Sequence, residues 1–167
     1  MSNNLILDLI KQIDSNQLRK NLFSLSKEPL PYRKLNYTVP GDSKNTLYQA
    51  DDFIQKKLES WGDIVEKEGV EVRAVNSEES PWFTAYNLYA KKLGVVHPEE
   101  IILFLSHKDS QSWVDSPGAY DNCAGTVSTM EIARVLKDYP SQRSVWFLFC
   151  NEEHAPWTSV TAAQNAK

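Results

Sequence analysis

Two short apolar runs, Ile101-Ile102-Leu103-Phe104-Leu105 and Val145-Trp146-Phe147-Leu148-Phe149, constrain the fold of this chain more than any other feature. Neither run alternates, and each is too short for an ordinary helix. That pattern suits a strand covered on both faces. Between them, residues 122–139 read as a helix, with Val127, Met130, Ala133 and Leu136 on one face and a turn at 140–144. Strand, helix, strand is a βαβ unit, whose strands run parallel with a right-handed crossover. The fold class is therefore α/β.

The remainder is read around that unit. Residues 3–27 are helical in two segments, carried by Leu5, Leu9, Ile13 and then Leu18, Leu22, Leu25, with Asp14 or Ser15 as N-cap between them. Pro29, Pro31, Pro40 and Gly41 make 28–45 a loop. A helix over 46–61 buries Leu47, Ala50, Ile54, Leu58 and Trp61, and Gly62 suits its end. Residues 70–76 alternate as a half-buried strand, 76–82 form a polar turn, and 83–93 are the antiparallel partner. Residues 161–167 read as helical.

Open α/β sheets place ligands beyond the carboxyl ends of their strands. Here the first strand delivers Ser106-His107-Lys108-Asp109 and the second Cys150-Asn151-Glu152-Glu153-His154, while Asp121 opens the crossover helix. Parallel strands share one end, so His107, Asp121 and Glu152/Glu153 can converge. One imidazole with several carboxylates is a zinc environment. Each piece also has an ordinary reading: a capped or surface His107, a helix-capping Asp121, a solvated Glu152–Glu153 turn. His97 reads as a surface residue of a polar turn, His154 as a loop residue, and Cys123 and Cys150 as small packing residues. Trp113 and Trp157 could line a pocket, whereas Trp146 belongs to the core.

Composition excludes other classes. The 167 residues suggest about one domain. With 18 Lys and Arg against 22 Asp and Glu, the net charge of −4 argues against a nucleic-acid partner. At 41% hydrophobic and 24% charged, the chain is ordinary globular protein. No apolar run approaches the roughly 20 residues of a membrane span. The start shows neither a basic n-region nor a cleavage site, so a cytoplasmic location is expected, and two cysteines cannot build a disulfide framework.

The ordered motifs resemble the zinc exopeptidases of the aminopeptidase Y and bacterial leucyl aminopeptidase type. They are His107-Lys108-Asp109-Ser110; Ser116-Pro117-Gly118-Ala119-Tyr120-Asp121-Asn122 with Gly125; Glu131-Ile132-Ala133-Arg134-Val135-Leu136; and Glu152-Glu153. Upstream, Tyr86-Asn87-Leu88-Tyr89-Ala90 fits the same pattern. The resemblance covers roughly 45–163. It implies a mixed, largely parallel sheet flanked by helices in three layers, and a metal-dependent aminopeptidase acting on peptides. His107 would bind one zinc ion, Asp121 would bridge two, and Glu153 would bind the second. Glu152 would be the general base toward a metal-activated water. Asp109 and Asn122 would support the ligands from behind, Asp109 by fixing the His107 tautomer. The Asp121–Asn122 peptide bond is expected to be cis.

The pattern also departs from the family's. Its further Asp and His ligands lie well downstream of the acidic pair, and no Asp or His occurs after His154. Thr158 stands where the family has glycine. The resemblance thus implies 1–45 as an N-terminal helical segment and loop, and 46–167 as the N-terminal part of a catalytic domain truncated at its C-terminus. Such a piece is expected to be inactive by itself, with an exposed apolar sheet edge. Two alternatives share these motifs: a glutaminyl-cyclase-like acyl transferase using one zinc, against which Asn122 and Gly125 speak, and a non-catalytic interaction domain.

Overall fold

The computed structural model describes residues 2–35, 45–73, 82–110, 116–151 and 157–166. Its elements run α1 (Ser2–Ile10), α2 (Ser15–Ser26), α3 (Leu47–Ser60), β1 (Val65–Arg73), β2 (Trp82–Lys92), β3 (His97–His107), α4 (Ala124–Leu136), β4 (Arg143–Cys150) and α5 (Thr158–Asn165). The four strands form one mixed sheet in the order β1-β2-β4-β3. β1 pairs antiparallel with β2, β2 antiparallel with β4, and β3 parallel with β4. The parallel character expected of the sheet therefore resides in the βαβ unit.

Alternation along the strands sorts the helices onto two faces. Leu88 and Ala90 of β2 and Val145, Phe147 and Phe149 of β4 pack against Ile54 and Leu58 of α3 and Met130 and Ala133 of α4. Each of the larger of these side chains, alanines aside, contributes roughly 1.5–3 kcal/mol by leaving water. On the other face Leu148 and Cys150 meet Ala162 of α5, with Tyr89 beside them. The architecture is the three-layer α/β/α arrangement. The N-terminal helices join it through Leu25 and Leu30, which share a cluster with Ala50, Cys123 and Val127.

Asp14 is the N-cap of α2, its carboxylate accepting from the amides of Asn16 and Gln17. The strand expected from residue 70, β1, begins earlier than its pattern indicated, at Val65. Polar pairs replace apolar alternation there: Lys67 pairs with Asp52, Lys91 with Glu66, and Glu68 accepts from Asn87 and Tyr89. The polar turn at 76–81 lies outside the described residues. The crossover helix is shorter than expected, because residues 119–123 form an irregular turn before Ala124.

The expectation that both apolar strands are covered on both faces holds for β4 alone. Ile101, Ile102, Leu103 and Leu105 of β3 are each about half exposed. The reason is topological: β4 lies between two strands, whereas β3 is an edge strand among the described residues. No helix of the described residues is long and apolar enough to cross a membrane.

Candidate metal centre

The parallel register places His107 opposite Cys150, so the chain leaves β3 and β4 side by side. Asn151, which precedes Glu152, starts from that point. Glu152, Glu153 and His154 themselves lie outside the described residues, as does Trp113.

His107 stands between two carboxylates. Its Nδ1 lies 3.2 Å from Oδ1 of Asp109 and its Nε2 3.0 Å from Oδ1 of Asp121. Asp109 is fully buried, whereas the Asp121 side chain is 68% exposed and can be reached from solvent. Thr126 of α4 donates to the main-chain carbonyl of His107 at 2.9 Å, fixing the strand end from the helix side. Of the expected site residues, His107, Asp109 and Asp121 are thus brought together.

Asn122, next to Asp121, holds the turn that leads into α4. Its Oδ1 accepts the amide of Gly125 at 3.0 Å, and a Cβ at Gly125 would overlap the Asn122 amide group. That contact explains the glycine three residues after Asn122. Gly118, at φ 52°, has its own reason: its left-handed backbone packs against Ser110 and the carbonyl of Asp121. The Asp121–Asn122 peptide bond is cis, as expected.

Two buried cations lie behind this face, and sequence reasoning missed both. Arg33, from the loop after α2, is 1% exposed. Its Nε donates to the carbonyl of Lys108 at 2.7 Å, and Nη1 to the carbonyls of Pro117 at 3.2 Å, Leu30 at 3.3 Å, and Leu25. One guanidinium therefore ties together the segments that lead to Asp109 and to Asp121. Burial pushes its pKa down, opposed by Cys123 and Asp109; arginine starts so high that it stays charged.

Lys108 points away from His107 into the interior. Its Nζ lies 2.8 Å from Oδ1 of Asp51 on α3 and donates to Oδ1 of Asn151 at 2.8 Å. Burial raises the pKa of Asp51, and the Lys108 charge works against that. Strand alternation after His107 was the available signal for an inward Lys108. Arg33 left none, since its partners are main-chain carbonyls.

The Glu131/Arg134 motif has a structural role. Glu131 accepts the amide of Asp14 at 2.7 Å and pairs with Arg134, which also donates to the carbonyl of Gln12. Helix α4 thereby holds the α1–α2 junction. Cys123 and Cys150 form no disulfide and are buried, each within an apolar cluster. Burial pushes the Cys123 thiol up, with Arg33 opposing. A second acidic group, His97, Glu99 and Glu100, is exposed at the far end of β3, where Glu100 pairs with Arg143.

Residues 87–165 match Peptidase family M28. An aminopeptidase, YwaD of Bacillus subtilis, is 41% identical over 58 residues, covering 35% of this chain and 12% of that protein. A protein of Pyrenophora teres f. teres described as a probable zinc metalloprotease is 33% identical over 91 residues, covering 50% of this chain and 19% of that one. The glutaminyl cyclase of Fimbriiglobus ruber superposes with a TM-score of 0.67 at 21% identity, over 85% of this chain and 46% of that one, and so shares the fold. The chain spans less than half the length of each. The fold, the ordered motifs and the match over 87–165 thus agree in the likeness of this chain to peptidase family M28.

Proposed function

We propose that this protein is a zinc-dependent aminopeptidase that removes N-terminal residues from peptides. The observation that carries the reading is His107 held between Asp109 and Asp121 at a shared strand end. The donor set suits zinc. Nε2 of His107 and Oδ1 of Asp121 are 3.0 Å apart, close to the separation of about 3.3 Å between two ligands of one tetrahedral ion. A carboxylate on the other ring nitrogen is the usual companion of a metal-binding imidazole.

Zinc supplies Lewis acidity, polarising a carbonyl oxygen and making water nucleophilic near neutral pH. His107 and Asp121 would hold it, with Glu153 as ligand of a second ion that Asp121 shares. Asp109 keeps the proton on Nδ1 of His107, so that Nε2 presents its lone pair. Glu152 takes the proton of the attacking water and passes it to the departing amine. The carboxylate of Asp121 would offset part of the positive charge of the bound metal.

The test uses the full-length protein. Two zinc ions per chain and chelator-sensitive hydrolysis of an aminoacyl chromogenic substrate are expected. Glu152→Gln should retain the zinc and lose about 10²–10⁴ in rate. One zinc with cyclisation of an N-terminal glutaminyl substrate would point instead to the acyl transferase whose fold this chain shares. No zinc and no turnover would leave an interaction domain. Near-normal turnover by Glu152→Gln would overturn the assignment of the base.

A further inference from the structure

Helix α4 carries two hydroxyls near its start that bond in different directions. Ser128 is exposed and donates to the carbonyl of Ala124, four residues earlier, at 2.7 Å. That is the usual local bond of a helical hydroxyl. Thr126 is 1% exposed and departs from it. Its Oγ1 crosses to the carbonyl of His107, the last residue of β3, at 2.9 Å.

The contact closes a ring. Next to Thr126 stands Gly125, whose amide donates to Oδ1 of Asn122 at 3.0 Å. Asn122 follows Asp121, and Oδ1 of Asp121 lies 3.0 Å from Nε2 of His107. The path leaves His107 by its carbonyl and returns to it by its imidazole. Asn122 and Gly125 thus hold Asp121 to the start of α4, and Thr126 holds the start of α4 to His107. Farther along, α4 meets the sheet through Met130 and Ala133. Apolar packing of that kind is non-directional, whereas a hydrogen bond prescribes a distance and an angle.

We propose that the hydroxyl of Thr126 is a positioning group that sets the separation of His107 and Asp121 for one shared metal ion. The proposal rests on the peptidase reading, in which those two residues bind zinc. Thr126 acts through the main chain of His107 and not on the ion. Ligands of one ion must be held within about 0.5 Å of their working geometry. Groups behind metal ligands typically change affinity about 10–100-fold. A tether on the main chain, one step removed from the ring, belongs at the lower end of that range.

The experiment compares the full-length wild-type protein with Thr126→Val, Thr126→Ser and Ser128→Ala. Zinc affinity is measured by competition with a chromogenic chelator. The ring-nitrogen resonances of His107 are recorded by NMR in zinc-free protein at one fixed pH. Thr126→Val keeps the shape of the side chain and loses the hydroxyl. It should bind zinc about tenfold more weakly and shift the His107 resonances. Thr126→Ser should recover most of the affinity and the wild-type resonances, and Ser128→Ala should match wild type in both. Unchanged zinc affinity in Thr126→Val overturns the positioning role. An equal loss in Ser128→Ala also overturns it, since weakening of the helix would then account for the effect. If Thr126→Val fails to fold, Thr126→Ala removes the same hydroxyl with less bulk, and the same criteria apply. If the wild type takes up no zinc, the peptidase reading has failed. The His107 resonances then decide the tether alone, and unchanged resonances in Thr126→Val overturn it.

Discussion

Arg33 donates through Nε to the main-chain carbonyl of Lys108 at 2.7 Å, across 75 residues of sequence. The bond fastens the N-terminal loop to the strand end that carries His107. Through Nη1 the same group reaches Pro117, on the approach to Asp121.

Replacing Arg33 by Met removes the donor from several buried carbonyls at once. Each buried polar group left unsatisfied costs about 1–3 kcal/mol, and a total loss of roughly 2–4 kcal/mol is expected. Arg33→Lys should recover less than half, because an ammonium cannot span the same fork of acceptors. Urea unfolding measures both. A loss below about 0.5 kcal/mol, the range of ordinary surface substitutions, would contradict the role of Arg33.

Lys108→Met leaves Asp51 buried without its cation, a change typically costing about 3–5 kcal/mol. Burial already raises the Asp51 pKa, and losing Lys108 removes the main opposition. The folded variant then holds a proton that the unfolded chain has released. Its stability should therefore fall as pH rises from the unfolded carboxylate value of about 3.9. The double variant with Asp51→Leu should be more stable than Lys108→Met alone and should lose that pH dependence. Thermal melts across pH 4–8 would reveal a double variant that is no better.

Asp109→Asn should keep the fold and weaken zinc binding about 10–100-fold, because the amide no longer holds the Nδ1 proton of His107 as a carboxylate does. Chelator competition gives the number directly. Wild-type affinity in this variant would remove Asp109 from the site.

Glu68 accepts from Asn87, Tyr89 and Asn165, and these bonds lower its pKa even though partial burial pushes it upward. A carboxylate whose pKa is depressed on folding adds stability above its unfolded pKa of about 4.3 and loses it as pH falls through the folded value. Glu68→Gln should flatten the acid limb of the stability curve. An unchanged limb below pH 5 would contradict the prediction.

The βαβ unit and the meeting of His107 with Asp121 were legible because their signals are local, whereas the place of Asp109 beside His107 came from the motif resemblance. An apolar pentad marks a buried strand, and a strand end marks the ligand side of an α/β sheet. β1 was half legible: its start is held by cross-strand pairs such as Lys91 with Glu66, which have no apolar period. The exposure of β3 could not be read from its own pentad, which reads the same on a central strand; only the truncation implied by the resemblance pointed to an exposed apolar edge. Arg33 was read as part of a proline-marked loop, because a cation that binds carbonyls contacts atoms every residue possesses. Lys108 was passed over as the spacer between His107 and Asp109, although its alternation pointed inward.

The long reach of the N-terminal contacts bears on synthesis. Asp14 donates to Glu131 across 117 residues. At about 5–20 residues per second, the ribosome needs roughly 6–23 s to supply that partner after Asp14 is made. During this interval α1, with Leu5, Ile6 and Ile10 about half exposed even in the finished fold, has no α4 to lie against. The segment that braces the strand ends is thus made first and seated late. In ribosome-bound chains of stepped length, protease resistance of residues 2–26 should begin only once Glu131 has cleared the exit tunnel.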